Sequence, residues 1–214
     1  MISTLRSFRH FLLPFTLWIV AGSVVIFMTD KEALHVGVNQ FHHPIFDVFF
    51  KYTTYLGDGI FGAFIVLLGF VYRIRYGVIG LIGLAGSGLL TQLLKRQVFG
   101  DHFRPSAVLK HLSELHYVDG VELHAHFSFP SGHSTAAFAI FLLLAFIARD
   151  HRLQMLCFFI GLTVAFSRVY ISQHFFEDIF VGSIIGTAIT LLAIHFLQHR
   201  AWGEKGLVEI FDRS

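Results

Sequence analysis

Stretches free of Asp, Glu, Lys and Arg recur along the chain at 11–29, 59–72, 76–94, 134–148, 153–167 and 179–199. The longer ones reach the roughly 20 apolar residues that a helix needs to cross a hydrocarbon core of about 30 Å. The windows at 59–72, 134–148 and 153–167 are shorter, so their helices are expected to extend into flanking polar residues near the membrane surface or facing the bundle. None of the six shows the two-residue alternation of a barrel strand. In lipid only helices and closed barrels satisfy their own backbone hydrogen bonds, so the pattern predicts an all-α integral membrane bundle of six helices. Between the first two windows, segment 41–55 is rich in Phe and Tyr and carries Asp47 and Lys51. It reads as an interfacial amphipathic helix in the first outer loop or as an aromatic belt at a span end, and the fold expectation takes the former. Gly77, Gly80, Gly83, Gly86 and Gly88 recur inside an apolar window, where close helix packing explains them better than a phosphate loop.

Composition sharpens this picture. With 55% hydrophobic and 14% charged residues and a mean hydropathy of +0.67, the chain is too apolar for an ordinary soluble domain. Its 214 residues fit one domain, 1–214, with chemistry concentrated at 95–178 and a tail at 200–214. The net charge of +2 is scattered, with no basic block of the kind nucleic acid requires. A lone cysteine, Cys157, excludes an intramolecular disulfide and a Cys-rich metal site. Arg6 and Arg9 precede the first apolar window as in a signal peptide, but no convincing small-residue cleavage site follows Val20, so this window reads as a retained helix.

Six spans put both termini on one side. Arg6, Arg9, Arg73, Arg75, Arg149, Arg152, Arg200, Lys205 and Arg213 fall on that side, mostly in short turns, while Lys31, Lys51, Lys95, Arg96, Arg104, Lys110 and Arg168 lie opposite in longer loops. The positive-inside rule then makes the termini cytoplasmic and the loops 30–58 and 95–133 external, in an inner or plasma membrane.

Ionisable residues beside spans are costly and therefore functional candidates. In the segment Ser167-Arg168-Val169-Tyr170-Ile171-Ser172-Gln173-His174-Phe175-Phe176-Glu177-Asp178, His174 and Asp178 are four apart. On a helix they share a face, so the carboxylate can hold Nδ1–H and free Nε2 for attack; a capped histidine beside a helix-starting acid is the plainer alternative. Phe129-Pro130-Ser131-Gly132-His133-Ser134 stands just before the fourth window. There Ser131 and Gly132 are expected to expose backbone N–H groups to an anion at a helix start, with His133 at the rim. A common Ser-Gly cap explains the first two residues but not the histidine. The third cluster, Lys95 to Pro105, brings Lys95, Arg96 and Arg104 to the same face, where arginine suits bidentate phosphate contacts. A solvated basic loop is the rival for Lys95 or Arg96 singly. His111, His116, His124 and His126 match no standard ligand spacing, so no metal is assigned.

Together, in this order, the clusters resemble the three signature motifs of the type 2 phosphatidic acid phosphatase superfamily. The second motif, Pro130-Ser131-Gly132-His133, and the third, Ser167-Arg168 with His174 and Asp178, match in type and spacing. The first departs from it: the family's lysine lies seven residues before the arginine of Arg-Pro, where this chain has Gln97, while Lys95 and Arg96 lie nine and eight before Arg104. The resemblance implies that His174 is the nucleophile, that Asp178 orients it, and that His133 protonates the leaving lipid oxygen and later helps activate water. Lys95, Arg104, Ser131, Gly132 and Arg168 would cradle the phosphoryl oxygens, with Arg96 the rival to Lys95. No metal or other cofactor is implied, and no Asp/Glu cluster accompanies the motifs as a two-metal site demands. The expected reaction is hydrolysis of a membrane lipid phosphate or pyrophosphate through a phosphohistidine. A phosphotransferase passing the group to a sugar acceptor, or a transporter using the charges as a path, are the alternatives.

Overall fold

The computed structural model describes residues 8–112, 115–148, 150–199 and 202–211. Arg6, Arg149, Arg200 and Arg213, four of the basic residues used above for orientation, lie outside the described residues. Helix α1 is Arg9–Met28 and α2 is Lys31–Asn39, whose first N–H groups from Glu32 and Ala33 are capped by the Asp30 carboxylate at 2.9 and 3.0 Å. Helix α3, Pro44–Thr53, begins with proline at its first turn and tightens into the 3₁₀ turn Thr54–Gly57. Then follow α4, Gly59–Tyr72, and α5, Ile74–Val98, which is interrupted by π turns at Ile82–Gly86 and Leu94–Val98. The one-turn α6, Pro105–Val108, precedes α7, Gly132–Ala148. Helices α8, His151–Tyr170, α9, Phe176–Leu197, and the short α10, Leu207–Phe211, complete the chain.

Each apolar window falls on a helix of an all-α membrane bundle. Helices α1, α5, α8 and α9 are long and apolar enough to cross a bilayer. The windows at 134–148 and 153–167 extend into neighbouring polar residues, taking in Gly132, His133, His151 and Arg168. The window at 59–72 does not. Asp58 caps α4 by accepting from Ile60 N–H at 3.1 Å, and the chain bends there by 50° into the Thr54–Gly57 turn and α3. Ten-residue α3, roughly 15 Å long, is too short to span and has no buried residue; Ile45, Phe46, Val48, Phe49 and Tyr52 are exposed along it, as an interfacial helix requires.

The two ends of the bundle differ sharply. At one end Phe8 meets Phe146, His10 faces His151, and Arg75 binds the carbonyls of Gln198 and Trp202 and the carboxylate of Glu204. At the other lie Lys31 paired with Glu177, the Thr54–Gly57 turn, and all three sequence clusters. Helix α7, almost wholly buried, is the axle between them, with Phe138, Leu142 and Leu143 among its inaccessible side chains.

Close backbone approach fixes how α7 meets α9. A Cβ on Gly182 would lie 2.6 Å from the Ser131 carbonyl, and one on Gly186 only 2.1 Å from that of Thr135. The α5 glycines divide: Gly77, Gly80 and Gly83 pack against Phe70, Leu143 and Thr190, whereas Gly88 faces open space. Packing therefore accounts for three of these five positions closely, and Gly88 is a correction to the sequence expectation. Because Gly186 meets unyielding backbone, Gly186→Ala is expected to cost roughly 1–3 kcal/mol or more. Thermal unfolding in detergent should show this loss, while Gly88→Ala leaves the melting temperature unchanged or raised.

Candidate active site

The chain leaves α8 through a tight reversal that presents His174. Ser172 adopts a left-handed conformation at φ 55°, and the N–H groups of Gln173 and His174 both donate to the Arg168 carbonyl, at 2.9 and 3.0 Å. Beneath the turn, buried His35 of α2 holds the Ser172 hydroxyl through Nε2 at 3.1 Å; burial pulls its imidazole down to about 4. The His174 ring is buried, with Nδ1 3.2 Å from Asp178 Oδ2. That oxygen also accepts from the Ser128 hydroxyl at 2.5 Å and from the Phe175 N–H, the cap of α9, at 2.9 Å. A carboxylate acceptor places the imidazole proton on Nδ1 and leaves the Nε2 lone pair without a hydrogen-bond partner among the described residues. Burial first, and then the charges of Arg104, Arg168 and Lys95, hold His174 well below the ordinary imidazole value. A neutral imidazole with a free Nε2 is a nucleophile.

The second motif is fastened to the third. After a cis Phe129–Pro130 bond, Ser131 N–H donates to the Asp178 carbonyl at 3.0 Å. This corrects the expectation that the Ser131 amide faces an anion: it is spent on joining α7 to α9. Ser131 Oγ accepts from the Ser134 hydroxyl at 3.1 Å and keeps its own hydrogen to donate. Gly132 N–H, at the start of α7, has no partner among the described residues, nor has the His133 ring. His133 lines a 310 Å³ cavity together with Arg168, Thr54, Asp58, Glu122 and His124.

Three cations converge. Lys95 is buried on the π turn ending α5 and is one of the charges acting on His174; Arg96 is exposed and is not. Of the two, Lys95 is the one placed beside His174. A π turn carries one residue more than an α turn, which takes up part of the lengthened spacing to Arg104. Arg104 donates from Nε to the His126 carbonyl at 3.0 Å and from Nη1 to Gln173 Oε1 at 2.7 Å; burial draws its guanidinium below the usual value, against the pull of Asp178. Arg168 is buried, and its Nη1 donates to Thr54 Oγ1 at 2.8 Å. Lys95 makes no hydrogen bond or ion pair among the described residues.

Ser128, Gln173 and Thr54 were not picked out from the sequence. They act through distant partners: Ser128 lies 50 residues from Asp178, Gln173 lies 69 from Arg104, and Thr54 lies 114 from Arg168. Of the loop histidines, His116 pairs with Asp47 at 2.9 Å, while His124 and His126 lend carbonyls to Ser106 and Arg104. No group of three or more His, Cys, Asp or Glu side chains suited to a metal ion occurs among the described residues.

A buried histidine held by a carboxylate among three cations, at one end of a membrane bundle, has the donors and charges that phosphoryl transfer requires. The PAP2 superfamily profile matches residues 76–202, more than half of the chain, and the chain belongs to that superfamily. It is a multi-pass membrane lipid phosphatase with a histidine-based site. The fold is similar to the crystal structure of LpxE from Aquifex aeolicus, with 25% identity, a TM-score of 0.67, and coverage of 76% of this chain and 93% of that one. It is also similar to a transmembrane PAP2 type phosphatidylglycerolphosphate phosphatase from Bacillus subtilis, at 22% identity and a TM-score of 0.63, covering 90% and 98%. No curated protein matches the chain.

Ser128 gives the site its first test. Removing its hydroxyl deprives a buried carboxylate of one of three donors, a loss of about 1.5–3 kcal/mol for a bond to a charged group. Ser128→Ala should therefore melt earlier in detergent and release phosphate about tenfold or more slowly, through a less firmly held His174.

Proposed function

We propose that the protein dephosphorylates a membrane lipid phosphate or pyrophosphate through a phosphohistidine, with no metal in the reaction. His174 Nε2 attacks phosphorus in line with the departing lipid oxygen, Asp178 holds Nδ1–H and stabilises the imidazolium form, and His133 protonates the leaving oxygen. Water, activated by His133, then attacks the phosphohistidine and returns His174 to its free form. Phosphoryl transfer depends on alignment and on neutralising the equatorial oxygens more than on elaborate covalent chemistry. Lys95, Arg104 and Arg168 supply that neutralisation, with the Gly132 N–H and the Ser131 hydroxyl as uncharged donors. The observation that carries this reading is the buried His174, pinned by Asp178 through Nδ1 and leaving Nε2 unengaged beside three cations.

The substrate class is a lipid whose tail stays in the bilayer while its phosphate enters the end of the bundle. Undecaprenyl pyrophosphate, phosphatidylglycerophosphate, phosphatidic acid and the phosphorylated sugar of lipid A are the candidates, and likeness to LpxE and to a phosphatidylglycerolphosphate phosphatase supports testing them together. The clustering of Arg and Lys in the short turns that the sequence assigns to the side of the termini supports an external site and a cytoplasmic tail at 200–214. The whole chain acts as one domain, with its chemistry at 95–178.

Phosphate release from this lipid panel in EDTA tests the reading. The wild type should release phosphate from at least one lipid, and His174→Ala should lose that activity by a factor of about 10⁴ or more, as removing a covalent nucleophile does. Equal activity in both proteins, or dependence on added divalent metal, would reject it.

A further inference from the structure

Arg168 is the most deeply enclosed of the three cations, and only one of its three guanidinium nitrogens has a protein partner among the described residues. Nη1 donates to Thr54 Oγ1 at 2.8 Å, while Nε is buried with no partner among the described residues. Nε and Nη2 point from the same edge of the planar group, the side-on fork that grips two oxygens of one phosphate. A buried donor left unpaired is unfavourable, and Arg168 lines the cavity that His133 also lines, so the unpaired edge is available to an anionic oxygen.

Thr54 sets the plane of that fork. It is itself buried, in the turn Thr54–Gly57 between the interfacial helix and α4, and lies outside the family-matched residues 76–202. The same turn is seated on the second motif: a Cβ on Gly57 would lie 2.9 Å from the His133 carbonyl and 2.8 Å from Val164. Threonine offers a hydroxyl oxygen that accepts from Nη1 and takes it out of competition, so the guanidinium cannot rotate to present a different pair of donors.

We propose that Thr54 is a positioning residue for phosphoryl transfer, its hydroxyl fixing Arg168 so that the Nε–Nη2 edge clamps two phosphoryl oxygens. This rests on the phosphatase reading above. It makes the first outer loop a working part of the active site, joined to it through one hydrogen bond.

Two pairs of proteins isolate the hydroxyl. Wild type and Thr54→Val are isosteric, and Thr54→Ser and Thr54→Ala both lack the methyl. Each purified full-length protein is titrated with orthovanadate, a phosphate mimic, by thermal shift in EDTA, and assayed for phosphate release from the lipid panel above. Thr54→Val and Thr54→Ala should bind vanadate about tenfold or more weakly than their partners and lose kcat in similar proportion, while melting earlier without vanadate because Arg168 Nη1 loses its buried acceptor. Thr54→Ser should stay within about threefold of wild type. Equal vanadate affinity within both pairs, or a loss in Thr54→Ser as large as in Thr54→Ala, would overturn the role of Thr54 and leave the phosphatase reading intact. A wild type that neither binds vanadate nor releases phosphate would overturn both.

Discussion

Asp178 carries more of this structure than its single charge suggests. Its Oδ2 gathers the Nδ1 of His174, the hydroxyl of Ser128 and the N–H that opens α9, while its backbone carbonyl takes the N–H of Ser131. One residue thus fixes the tautomer of the proposed nucleophile, starts a membrane-spanning helix and locks the second motif to the third. A buried carboxylate is unfavourable unless several donors satisfy it, and here the donors are the parts of the site that must be aligned. Catalytic geometry and local folding are met by the same hydrogen bonds.

The cations follow a related logic. Lys95 and Arg168 are buried, and Arg104 is drawn inward by Gln173 and the His126 carbonyl, so three positive charges sit close together, with the Asp178 carboxylate acting on Lys95 and Arg104 and that of Asp58 on Arg168. Mutual repulsion of this kind is tolerable where a phosphoryl group can relieve it, and burial together with these charges disfavours the charged form of His174. The charges collect at one end of the bundle instead of the bilayer midplane, which suits a lipid presented from the membrane surface and not a path through it. Gly182 and Gly186 make the arrangement possible by bringing α9 within backbone distance of α7 where the motifs meet.

What the sequence made legible was local. Each apolar window became a helix because length and hydropathy alone decide that outcome in lipid, and His174 with Asp178 could be paired because they are near in sequence, although His174 precedes the Phe175 cap of α9 and meets Asp178 within the cap, not across a helix face. Contacts between distant segments were hidden. Thr54, Ser128 and Gln173 are ordinary polar residues whose work depends on partners far along the chain, and nothing in their neighbourhoods marks them. That Lys95 is buried and Arg96 exposed depends on how the π turn ending α5 sits in the bundle, which leaves no compositional signature. The Ser131 amide was misassigned for a similar reason: Ser-Gly at a helix start offers donors, but the structure had already used one to bind Asp178. The bend at Asp58 escaped because a short apolar window does not reveal whether its helix lengthens or breaks at a cap.

The central claim is that His174 carries the phosphoryl group. Rapid acid and alkaline quenching of the enzyme during turnover of a radiolabelled lipid phosphate, followed by peptide mapping, tests it directly. The account expects label on the peptide containing His174, lost in acid and stable in alkali, as a phosphorus–nitrogen bond behaves. Label that survives acid, or maps to a serine, an aspartate or His133, would contradict it.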